Sequence, residues 1–141
     1  MQIKFKTLFY DPICPEPIEV EYVAHDTIVD HFEKIDWNGC LQKSKNAKLD
    51  DIYYHPTFEI EREKTKQKLG ISAIGNSIEF EFNITYTRPK KEMVKSFFIL
   101  KEKITENYLT MIQGQTKNDA LDCLKAFIRN DVEYLSNKIG L

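Results

Sequence analysis

Apolar and polar positions alternate from the start of the chain. In IKFKTLFY (3–10), Ile3, Phe5, Thr7 and Phe9 fall on one side and Lys4 and Lys6 on the other, the two-residue period of a half-buried strand. Pro12, Pro15 and Pro17 end that pattern. IEVEYVA (18–24) then sets Ile18, Val20 and Tyr22 against Glu19 and Glu21, which predicts a second strand. Next the period lengthens. Ile28, Phe32 and Ile35 recur at helical spacing behind Asp26 and Thr27, either able to cap, so a short helix is expected from about 27 to 36. Residues 37–56 (WNGCLQKSKNAKLDDIYYHP) show no sustained period, with Asn-Gly near one end and Asp-Asp and His-Pro near the other. They are expected to form a long connection with no more than a helical turn, of the kind that often carries function.

From Thr57 the pattern is a meander. TFEIERE and KLGISAI flank the polar turn KTKQ, and GNS leads into SIEFEFNITYTRPKK (77–91), where Ile78, Phe80, Phe82, Ile84 and Tyr86 share one face. Five aligned apolar residues predict a central strand. In EMVKSFFILKEKI (92–104), Met93, Val94, Phe97, Phe98 and Ile104 would also suit a helix, but the β-favouring run from Ser96 to Leu100 predicts a strand. TEN is expected to turn the chain into a last strand, YLTMIQG (108–114). Thr116 or Asn118 can then cap a helix whose stripe is Ala120, Leu121, Leu124, Phe127 and Ile128, with Asp119, Asp122, Lys125 and Arg129 outside it. Asn130-Asp131 breaks it, and Val132, Leu135 and Ile139 continue an apolar face. The expected fold is a single α+β domain over residues 1–141. It is an antiparallel sheet of six or seven strands with helices mainly on one face, and the C-terminal helix packs on the sheet.

Composition adds boundaries to that picture. Hydrophobic residues at 42% and charged residues at 30% are ordinary globular values. No stretch reaches membrane-span length, and the first residues carry no signal-peptide pattern, so a cytoplasmic protein is expected. Cys14, Cys40 and Cys123 are odd in number and widely spaced, which predicts reduced thiols and neither a disulfide framework nor a zinc site.

The net charge of −2 is unevenly spread. Between Asp11 and Asp36 stand eight acids (Asp11, Glu16, Glu19, Glu21, Asp26, Asp30, Glu33, Asp36) and one base, Lys34. Such a block repels phosphate and attracts cations or basic proteins. Arg88, Lys90, Lys91 and Lys95, with Arg62, Lys64, Lys66 and Lys68, make two small basic clusters. The sheet's aromatics fall on the face that must be buried and the pI is near 5.9, so these bases read as the solvated rim of a sheet, not as a nucleic-acid surface. His25 and His31 do not share a helix face, His55 precedes a proline, and no nucleophile elbow, zinc-protease or phosphate-loop motif is present. No metal or cofactor is expected.

One resemblance rests on GISAIGNSIEFEFNITYTRPKK, the strands after it, and GQTKNDALDCLKAFIRNDVEYLSNKI. The order of polar turn, aromatic strand closing in Arg-Pro-Lys, hairpin and Cys-Leu-x-x-Phe helix resembles small immunity proteins of bacterial polymorphic toxin and type VI secretion systems. It spans roughly residues 57–139. The resemblance implies an antitoxin that binds and blocks one cognate effector without chemistry of its own. The acidic block is compatible with a basic toxin, and the residues expected to meet it are Asp26, Asp30, Glu33 and Asp36, with Trp37, Asp50 and Asp51 from the long connection. The competing class is a small-molecule-binding module or small enzyme on a curved sheet, with Tyr, Phe and Trp37 lining a pocket.

Overall fold

The computed structural model describes residues 4–22, 24–96 and 99–141. Six strands form one antiparallel sheet: β1 (Phe5–Tyr10), β2 (Ile18–Tyr22), β3 (Thr57–Arg62), β4 (Gln67–Gly75), β5 (Phe80–Ser96) and β6 (Ile99–Gln115), in the order β2-β1-β3-β4-β5-β6. The register lines up apolar side chains in rows across it. One row runs Phe9, Phe58, Ile71, Ile84, Ile112, and the next Thr7, Ile60, Leu69, Tyr86, Thr110. Thr7 is tolerated in that row because its hydroxyl donates to the Val20 carbonyl at 3.1 Å.

Four helices cover this face: α1 (His25–Glu33), α2 (Trp37–Asn46), α3 (Lys117–Ile128) and α4 (Val132–Ile139). Ile28 and Phe32 of α1, Leu124 and Phe127 of α3 and Leu135 of α4 are almost wholly enclosed. The domain is thus α+β, with the C-terminal helix on the sheet. Thr116 caps α3 in a reciprocal capping box with Asp119, and Asp131 caps α4 by accepting from the Tyr134 amide at 3.1 Å.

Two buried arginines finish those two helices. Arg62, on β3, donates from Nη2 to the carbonyls of Phe127 (2.8 Å) and Ile128 (3.3 Å), and its guanidinium lies 4.8 Å from the Phe5 ring centre. Arg88, on β5, donates to the Gly140 carbonyl at 2.6 Å and to the Tyr86 carbonyl at 3.0 Å. The last carbonyls of a helix have no partner within it and carry partial negative charge, so a guanidinium there satisfies both hydrogen bonding and the dipole. Neither arginine is therefore part of a solvated basic rim: they are 5% and 8% exposed. The lysines around them remain outside.

Three other expectations change. The long connection contains α2 and a 3-10 turn at Leu49–Asp51. Trp37, Cys40 and Leu41 are its buried residues, one helical face, and Asn38-Gly39 sits in its first turn instead of making a reverse turn. TEN does not reverse the chain. Residues 99–115 are one strand, and Asn107, at φ 53°, lies at an irregularity in register between Arg88 and Lys90. The same irregularity lets β5 continue past Pro89, whose ring nitrogen cannot donate to a ladder. Ile78 lies before the strand and is 91% exposed, because the Asn76 side chain accepts from the Ile78 and Glu79 amides and holds a turn there. Ile3, Val23, Phe97 and Phe98 of the predicted strands lie outside the described residues.

Candidate functional site

α1 follows β2 and begins against the Phe5 end of β1, where His25 meets the Phe5 ring edge-on at 5.8 Å. Ile28 and Phe32, four apart, are the anchors that fix its rotation on the sheet. That rotation decides the fate of the acids. Asp26, Asp30 and Glu33 fall at i, i+4 and i+7, the same spacing shifted around the helix, and all three are exposed. Asp26 belongs to the first turn of the helix, since the N-cap position is Ala24, and a carboxylate there suits the helix dipole.

The C-terminal end of α3 lies beside this face. His25, Asp26, Val29 and Asp30 form one wall of a groove of about 440 Å³, and Lys125, Ile128 and Arg129 form the other. One wall is anionic, the other cationic, and Val29 and Ile128 supply apolar contact. Among the described residues, Asp26, Asp30 and Glu33 form no ion pair within 4.0 Å, as is true of most acids of the chain, Glu21, Asp50 and Asp51 included; what sets the three apart is that they share one exposed helix face. Charges left without an internal partner are available to an external one.

The other sequence-selected residues do not join them. Asp36 caps α2, accepting from the Gly39 amide at 3.0 Å. Trp37 is 3% exposed and packs between Phe9, Phe32 and Phe82, so its indole presents no surface to a partner. Asp50 and Asp51 are exposed in the 3-10 turn, next to a segment tied to β1's other end by the Tyr53 amide donating to the Pro12 carbonyl at 2.8 Å. The length of β1, roughly 17 Å at about 3.3 Å per residue, separates the two ends. Sequence reasoning missed Lys125 and Arg129 as neighbours of the acids, because nothing local places α3 beside α1.

Histidine and cysteine contribute packing. His31 Nδ1 and the Tyr22 hydroxyl are 2.9 Å apart, the ring lies tilted against Phe58 at 5.8 Å, and burial with nearby Lys34 lowers its pKa. Cys123 is wholly buried on α3, and burial pushes its thiol up to about 11, while Cys14 is exposed. A second groove, between α1, β2 and α2, is lined by Phe9, His31, Lys34, Asp36 and Cys40 and measures about 290 Å³. Among the described residues no serine or cysteine hydrogen-bonds a histidine, and no three acidic, histidine or cysteine side chains are placed to hold a metal ion. No described helix is long and apolar enough to cross a membrane.

Comparisons with protein-family models, with curated proteins and with solved structures find no match to this chain.

Proposed function

We propose that this chain is an immunity protein, a cytoplasmic antitoxin that binds one cognate secreted effector of basic surface and blocks it without chemistry of its own. The observation that carries this reading is the row Asp26, Asp30, Glu33, exposed along one helix face without ion-pair partners among the described residues. A row of fixed charges on a rigid element raises the rate of encounter with an oppositely charged partner and rejects like-charged ones. The groove beside it gives the encounter a place to become a docked complex: Val29 and Ile128 offer apolar contact, and Lys125 and Arg129 set a second, opposite charge that a partner must match.

The test begins with the protein encoded by the neighbouring gene. It is expected to co-purify with this chain, and co-expression is expected to relieve its toxicity. Asp26→Lys with Asp30→Lys is then expected to slow association at least roughly 10-fold at low salt, with the melting temperature nearly unchanged, because exposed charges steer encounter but stabilise little. Unchanged association, together with unchanged salt dependence, would remove the groove from the interface.

A further inference from the structure

β2 and β6 are the outer strands of the sheet, and the outer half of β5, from Pro89, has no strand on its β4 side; these free edges are built differently. β2 is five residues long, carries Glu19 and Glu21, and is preceded by Pro15 and Pro17. Short length, charge and proline all keep an edge from accepting another strand. The second half of β6 has none of these protections: NYLTMIQGQT, residues 107–116, contains no charge and no proline. Tyr108, Thr110 and Ile112 turn toward the helices, where the Tyr108 hydroxyl donates to the Leu141 carbonyl and Ile112 packs against the core. Leu109 and Met111 stand on the opposite face, 56% and 49% exposed.

We propose that this edge of β6 pairs, antiparallel, with β6 of a second copy about a two-fold axis through Thr110. An antiparallel pair related by a two-fold must bring residues of the same face opposite each other, so the axis has to pass through a residue. With Thr110 at the centre, Leu109 faces the partner's Met111, Met111 faces the partner's Leu109, and Tyr108 faces the partner's Ile112. Moving the centre to Leu109 sets Met111 against the partner's Asn107, and moving it to Met111 sets Leu109 against the partner's Gln113. Only the Thr110 register pairs every exposed apolar side chain with another.

The same strand limits the assembly. Asn107 (φ 53°) and Gly114 (φ 69°) both have positive φ, and near each the register with β5 shifts. Irregularities of this kind end regular pairing, so the contact is confined to about five residues per copy. An isologous contact uses the same edge of both molecules, and the edges it leaves are protected: β2 as above, the outer half of β5 by Pro89, Lys90, Lys91 and Glu92, and the outer half of β6 by Lys101, Glu102 and Lys103, so growth stops at a dimer with one twelve-stranded sheet. The acidic groove lies over the β2 side, across the sheet from β6, so each copy keeps its groove open.

Light scattering across a concentration series tests the dimer: mass is expected to rise from 16.6 kDa toward twice that value. Leu109→Lys with Met111→Lys, the charge that natural edges use, is expected to weaken the dimer at least roughly 10-fold. Its melting temperature at high dilution should match that of the parent, which separates loss of pairing from loss of folding. Cross-linking tests the register in a Cys14→Ser background. Directly opposed residues sit about 4.5–5.5 Å apart at Cα, within disulfide reach, and diagonal ones do not. Oxidising a mixture of the Leu109→Cys and Met111→Cys proteins is therefore expected to give a linked heterodimer, and either protein alone to stay unlinked. A parent that remains monomeric at hundreds of micromolar, a double-lysine variant that dimerises as the parent does, or a linked homodimer from either single variant each overturns the proposal.

Discussion

Within β5, the half from Phe82 to Arg88 and the half from Pro89 onward belong to one continuous strand and meet opposite fates. Phe82, Ile84 and Tyr86 are 2%, 0% and 0% exposed, whereas Met93 is 63% exposed. The difference lies in the neighbours. The first half has β4 on one side, β6 on the other, and α3 and α4 above it; pairing with β4 ends at Thr87 opposite Lys68, and beyond that only β6 remains. A two-stranded ribbon has little to bury against. Alternation therefore specifies which way a side chain points, and the surroundings specify whether that direction is covered.

Breaking the covered half should cost most. Phe82→Ala is expected to destabilise by roughly 3–5 kcal/mol, the range for emptying an aromatic site in a packed core, measured by denaturant unfolding. A loss below about 1 kcal/mol would mean that the covered half is no better packed than the ribbon.

Arg88 stands where the two halves meet, held between the Tyr86 and Tyr108 rings at 4.4 and 4.8 Å. Arg88→Met keeps the length of the side chain but leaves the Gly140 carbonyl only the longer hydrogen bond from the Thr110 hydroxyl, at 3.4 Å, and is expected to cost about 1–3 kcal/mol. Loss of amide protection confined to α4 would locate that cost at the helix end.

Thr116→Ala removes the cap that starts α3 over the covered half, at an expected cost of about 1 kcal/mol. Hydrogen bonds from the Thr116 amide and hydroxyl hold the Asp119 carboxyl below its ordinary range. The folded state then binds that proton less readily than the unfolded one, so this stability is present at neutral pH and is lost as pH falls through the lowered value. A pH titration of unfolding should show a shallower acid loss in Thr116→Ala than in the parent.

The smallest effect should come from the uncovered half. Met93→Ser is expected to change stability by no more than about 0.5 kcal/mol, since an exposed apolar side chain has little burial to lose. A larger loss would show that the ribbon is covered in solution.

Much of this fold was legible because its signals are local. The strand starting at Phe5, the apolar stripe of α3 and the break at Asn130-Asp131 each follow from a period or a cap read within a dozen residues. α2 left a fainter trace: Trp37, Cys40 and Leu41 at helical spacing behind Asp36, obscured by Asn-Gly, which signals a turn more often than the first turn of a helix. In the candidate site, the exposure of Asp26, Asp30 and Glu33 was expected, and their common face became clear once the helix was seen to start at His25. Trp37 was expected to meet a partner or to line a pocket, because an aromatic in an aperiodic segment gives no sign of what it packs against.

By itself, the sequence determined the α+β class, the inward face of β1 and of Phe82–Tyr86 in β5, the acidic character of residues 11–36 and the absence of a recognisable catalytic motif. These depend on side-chain alternation, helical spacing and formal charge, properties of neighbours along the chain. Tertiary structure alone decided that Arg62 and Arg88 lie inside, that α3 brings Lys125 and Arg129 beside Asp26 and Asp30, and that β6 is left at an edge. Each of these depends on contacts between segments far apart in sequence. Arg62 meets carbonyls 65 and 66 residues away, and no local pattern distinguishes a lysine-rich strand end in solvent from one whose arginine reaches a helix terminus.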